Sequence, residues 1–156
     1  MEPSVFTQPL FVFLEEAFGV TESPSGYFLD SGRSGILGTI DGLSATVASE
    51  PDARGGATIA GHCGHVLFLL RFFLAVERGE SLEPDWQSSW ATGAVTDAEW
   101  RALRTDLRRD YEHLVARLRG RDPWPDAAVG PVMLLLTHCA YHLGEIRQRL
   151  LWVSAG

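Results

Sequence analysis

Apolar residues recur along this chain at helical spacing, and no segment makes a convincing strand. Residues 5–18 (VFTQPLFVFLEEAF) form a first short helix that Gly19 ends. The stretch 21–34, rich in Ser, Gly and Pro, reads as a loop. Ile36, Ile40, Leu43 and Val47 then share a helical face, so a second helix is predicted over 35–49, closed by Pro51 and the pair Gly55 and Gly56. Thr58 is a good cap for a third helix running to about Arg78. That helix is apolar nearly all round from 66 to 76, which puts it deep in a core or at a subunit contact.

Residues 79–95 make a long connection of the kind that often serves as a lid or crossover. It contains Trp86 and Trp90, read first as packing for the connection and alternatively as a roof over a pocket. Thr96, Asp97, Ala98 and Glu99 spell a capping box: the threonine oxygen serves the Glu99 amide, and the Glu99 carboxylate reaches back to the cap amide. Trp100, Leu103, Leu107, Tyr111, Leu114 and Leu118 form one stripe of the helix that follows, with arginines and acids opposite, until Gly120 ends it. After a turn at 122–125 comes the last helix, from about Ala127 or Pro131 to Val153, with Pro131 expected in its first turn. Four main helices and one long crossover predict an all-α, four-helix bundle, a single domain over residues 1–156.

Composition narrows the function. Apolar residues at 46% and charged residues at 21% are globular values. A formal charge of -7 argues against nucleic acid, which needs a basic footprint, and against an anionic membrane surface. All 13 basic residues are arginine, so lysine Schiff-base and P-loop chemistry are excluded. Cys63 and Cys139 are too few for a disulfide framework and read as small buried residues in a reduced setting. Glu2 stands where a signal peptide would be basic, and the greasy run 66–76 is short for a bilayer and interrupted by Arg71. A soluble, cytoplasmic protein is expected.

Four of the five histidines fall in two groups, His62 and His65 on one helix, His138 and His142 on the last. His138 and His142, four apart, sit one above the other on a helical face and can grip one ion at about 2.0–2.1 Å per bond. Their helix is apolar, and two buried imidazoles need partners that a metal supplies at once. His62 and His65 are about 60° apart around a helix of 3.6 residues per turn, so either can be the third ligand, with the other supporting or solvated. Glu145, three beyond His142, is a candidate base or an exposed end-of-helix acid. His113 falls on the arginine-rich face and reads as solvated.

Residues 58–66 (TIAGHCGHV) and 137–146 (THCAYHLGEI) resemble the histidine motifs of the DinB-like (YfiT-like) superfamily of bacterial metal-binding four-helix bundles, and 35–44 (GILGTIDGLS) is compatible with it. The resemblance covers most of the chain and departs where residues 19–34 break the first helix. It implies a metal triad of His138, His142 and one second-helix histidine; seven residues on from Thr58 that histidine is His65, with His62 the alternate. It also implies homodimers, and, for members that are enzymes, activation of a low-molecular-weight thiol such as bacillithiol or mycothiol.

Three neutral histidines leave open positions on a divalent ion, as catalysis requires. The expectation is a metal-dependent transferase or hydrolase acting on a small molecule, with zinc, nickel, iron or manganese at the site and a thiol or water as nucleophile. A stress-response or sensor bundle that binds metal without turnover is the alternative.

Overall fold

The computed structural model describes residues 3–19, 26–29, 34–51, 55–121 and 123–155. Their elements are α1 (Pro3–Phe18), α2 (Ile36–Ile40), α3 (Ala45–Ala48), α4 (Ile59–Glu77), a 3-10 turn (Ser88–Trp90), α5 (Asp97–Arg119) and α6 (Asp126–Ala155), all helical, with no strand among the described residues. The loop expected over 21–34 lies outside the described residues apart from 26–29 and 34.

The helix starts have local causes. Thr58 caps α4 by accepting the Gly61 amide at 2.9 Å. The capping box of α5 is complete, Thr96 accepting from the Glu99 amide and Glu99 accepting from the Thr96 amide. Trp100, Leu107, Tyr111, Leu114 and Leu118 are buried, as their stripe requires.

The helices depart from the sequence expectation in three places. The helix expected over 35–49 is two short helices, because turn chemistry outweighs apolar spacing there. Asp41 is extended, Gly42 takes a φ of 78° that only glycine adopts without strain, and Ser44 starts α3 by accepting the Val47 amide. The Trp100 indole N–H donates to the Leu43 carbonyl at 2.7 Å within that link. α6 starts at Asp126, beside the earlier of its two expected starts, but Pro131 then lies in its second turn rather than its first and deletes one internal hydrogen bond. The acid in the first turn and the Ala128 amide bonded to the Pro125 carbonyl at 2.9 Å favour the earlier start. α1 likewise begins at Pro3 and keeps Pro9 inside.

α4 packs between α5 and α6, and α6 also packs against α1. α1 meets α5 where Phe18 stacks on Tyr111 at 4.4 Å, with the Tyr111 hydroxyl donating to Glu15 at 3.1 Å. Leu70, Leu107, Leu135, Leu143 and Ile146 fill the middle, each fully buried leucine stabilising by about 1.5–3 kcal/mol. The arginine that interrupts the apolar run of α4 faces α5: Arg71 donates to Asp110 at 3.0 Å and Asp106 at 2.6 Å. Beside that clamp an open cleft of about 610 Å³ is lined by Arg71, Arg78, Arg109, Asp110, His113 and Arg117.

The helix that carries the run 66–76 is longer than the run itself, spanning Ile59–Glu77. By length and composition both α4 and α6 could cross a bilayer, but 72% of the α4 window and 39% of the α6 window is buried inside the protein. The first value is that of a core helix.

The connection 79–95 lies against the first half of α4. The Thr58 hydroxyl donates to the Gly93 carbonyl at 3.2 Å, and the Ser49 hydroxyl both accepts from the Val95 amide at 2.9 Å and donates to its carbonyl at 3.3 Å. Gly64 makes the approach possible: a Cβ there would fall 2.3 Å from the Thr92 hydroxyl.

Candidate metal centre

The N-terminal half of α4 and the middle of α6 bring four histidines together beneath that connection. His65 Nε2 is 2.9 Å from His138 Nε2, which is 3.0 Å from His142 Nε2. Ligand atoms of these three residues all lie within 4.8 Å of one another, so the trio can hold a metal ion. His65 and His142 are buried, 4% and 1% exposed, and His138 is half-buried.

The spacing fits coordination. Bonds of about 2.1 Å place neighbouring nitrogens about 3.0 Å apart at right angles and about 3.4 Å apart at the tetrahedral angle, so small ring movements bring the trio to either geometry. Proton accounting points the same way. A neutral imidazole has one N–H and one lone pair, and His138 Nε2 presents a single site to two neighbours at once. It can satisfy one of them by hydrogen bonding, whereas one cation satisfies all three lone pairs.

The electrostatics keep those lone pairs available. Burial, and then the charges that His138 and His62 would carry, lower the His65 pKa to about 4. Burial and the other three histidines lower that of His142 to about 3. Burial lowers His138 as well. At neutral pH the trio is uncharged, the form that binds metal.

His62 stands behind the trio. Its Nδ1 is 3.0 Å from His142 Nδ1, the nitrogen of His142 that faces away from the centre. The 60° between His62 and His65 thus separates a residue that reaches the centre from one that touches a ligand's far side. Burial lowers the His62 pKa, the Glu145 charge raises it and the Arg149 charge lowers it again. Glu145 is half-buried and makes no hydrogen bond to any of the four histidines.

Two residues of the connection reach the site. The Trp90 ring stacks on His65, 4.0 Å between centroids and 13° from parallel, and meets His62 edge-on at 5.5 Å. Packing of the connection, the first reading of Trp90, therefore gives way to a roof over the histidines, while Trp86 packs against Phe68 and Phe72. Ser89, 4% exposed, has its hydroxyl 2.6 Å from His65 Nδ1. Sequence reasoning passed over this serine. The available signal was Asp85, whose carboxylate accepts the Gln87 and Ser88 amides and marks a turn.

Cys63 and Cys139 are buried, and burial pushes both thiols up to about 12, so neither is a thiolate at neutral pH. His113 is exposed on α5 and lines the arginine-rich cleft, which none of the trio lines. The chain matches no protein-family model, no curated protein and no solved structure at a significant level.

Proposed function

We propose that this chain is a divalent-metal-binding protein of the DinB-like kind, a four-helix bundle of α1, α4, α5 and α6 with the connection 79–95 as its crossover. His65, His138 and His142 are its ligands. The observation that carries the reading is the meeting of three neutral imidazole nitrogens, from two helices, close enough together for one ion to bond all three. No carboxylate belongs to this trio, so the set offers imidazole alone, which zinc, nickel, iron and manganese all accept. A divalent ion held there supplies Lewis acidity, making a nucleophile of a bound water or low-molecular-weight thiol near neutral pH.

The protein's own groups do the rest. A His142 that offers its Nε2 lone pair inward carries its proton on Nδ1 and donates it to His62 Nδ1, which holds the ring in that orientation. Glu145, three residues beyond His142 and half-buried, is the candidate base. The activity is a transfer or hydrolysis on a small molecule, in a cytoplasmic homodimer. Metal binding without turnover, as in a stress-response or sensor protein, is the second reading. It is favoured by the indole of Trp90 over the centre and by the position of the 610 Å³ cleft on the other side of α4.

Elemental analysis of purified protein tests the site. One ion per chain is expected, with loss in His138→Ala; no metal, and none taken up on reconstitution, rejects both readings. Thiol conjugation of electrophiles then separates them. Metal-loaded protein is expected to outpace His138→Ala, and equal rates leave only the non-catalytic binder.

A further inference from the structure

The proton on His65 is placed by a residue outside the four histidines. The Ser89 hydroxyl lies 2.6 Å from His65 Nδ1 and 2.6 Å from the Trp86 carbonyl oxygen. A carbonyl can only accept, so the one hydroxyl proton goes to Trp86. The serine oxygen is then left to accept, and His65 Nδ1 must carry the N–H. That leaves the lone pair of a neutral His65 on Nε2, the nitrogen that faces His138. The direction of the whole chain follows from its terminal carbonyl.

The grip on His65 is two-sided. Ser89 holds the ring at its edge and Trp90, the next residue, covers its face. Both belong to the 3-10 turn, which Asp85 pre-forms by accepting two amides at 3.1 Å. The turn is held on α4 by the Thr58 and Ser49 bonds and by the contact of Thr92 with Gly64. A ligand's tautomer therefore depends on whether the connection 79–95 is docked.

We infer that Ser89 is a positioning residue that makes His65 an Nε2 metal ligand, and that metal binding and docking of the connection are thereby linked. The inference rests on the metal-binding reading above. Coupling between two equilibria is reciprocal: whatever docking adds to metal affinity, the metal adds to docking.

The test is zinc affinity by chelator competition for wild type, Ser89→Ala, Ser89→Thr and Ser88→Ala. Groups that orient ligands from behind typically contribute about 10–100-fold in affinity, and a loss of that size is expected for Ser89→Ala. Ser89→Thr keeps the hydroxyl and recovers most of it. Ser88→Ala, which removes only the turn's own exposed bond to the Asp85 carbonyl, stays near wild type. Zinc should also slow hydrogen exchange of the amides of Trp90 and Ala91 in wild type but not in Ser89→Ala. NMR of the zinc-loaded wild type should find a protected proton on His65 Nδ1, a readout that needs no variant to fold. Wild-type affinity in Ser89→Ala, an equal loss in Ser88→Ala, or a His65 proton on Nε2 would overturn the inference. Failure of wild type itself to bind zinc would instead remove the metal reading, and this inference with it.

Discussion

His62 and His65 are chemically the same side chain three positions apart, and the fold gives them different work. His65 joins the trio through Nε2, while His62 meets only the outward Nδ1 of His142. His62→Ala should therefore keep one ion per chain and bind it about 10–100-fold more weakly, the usual effect of losing a group behind a ligand. His142→Ala should lose the ion. Chelator competition on the two variants measures both, and an undiminished ion in His142→Ala beside a lost one in His62→Ala would exchange their roles. The pair His138 and His142 was legible from sequence because a spacing of four fixes a shared face whatever the helix packs against. The choice between His62 and His65 was not, because it depends on how α4 is rotated about its axis. Neighbouring helices and the docking of Thr92 on Gly64 set that rotation. Ser89 was hidden for a similar reason, since its partner lies 24 residues away.

The helices themselves were readable where caps and stripes agreed, as in α4 and α5, and misread where a turn signal opposed the apolar period, as at Asp41 and Gly42. Arg71 looked from sequence like an interruption of α4 and is instead the clamp between that helix and α5. It bonds Asp106 and Asp110, and Arg109 bonds the same two acids. Burial alone would raise the Asp110 pKa, but the hydrogen bonds and charges of Arg109 and Arg71 outweigh it, and the carboxyl sits below its ordinary 3.8. A folded value below the unfolded one means the contribution is present above the unfolded pKa and is lost as pH falls through the folded one. Asp110→Asn should therefore destabilise the protein at pH 7, by about 1–2 kcal/mol for hydrogen bonds to charged groups that are partly exposed. The deficit should shrink as wild type and variant are compared at pH values falling below about 4. Urea unfolding across that range checks it. A deficit that stays constant into strong acid would show that packing, not charge, holds Asp110 in place.

At the scale of the molecule, the all-helical class followed from apolar spacing, but which helix face is left uncovered did not, because that depends on where the neighbours stop. The uncovered face belongs to α6. Leu134, Tyr141 and Trp152 are 59%, 62% and 70% exposed. At 3.6 residues per turn they fall within about 20° of one line along the helix. Gln148 lies about 40° from Leu134 around the helix and is exposed as well, and the half-buried Glu145 lies about 20° from it, so the strip is long and carries one acid. Three large exposed apolar side chains aligned on one helix face are a candidate contact surface. The occupant most consistent with it is a second copy of the chain, since two such strips are self-complementary about a twofold axis. Sedimentation of the purified protein should then report a dimer at micromolar concentration, and Leu134→Glu should give a monomer with unchanged helix content, because an exposed side chain contributes little to the fold of its own chain. The same strip could lie on lipid, and the two occupants separate cleanly. A wild-type protein that stays monomeric throughout the concentration range, and floats with neutral lipid vesicles, would assign the α6 face to a membrane and remove the dimer.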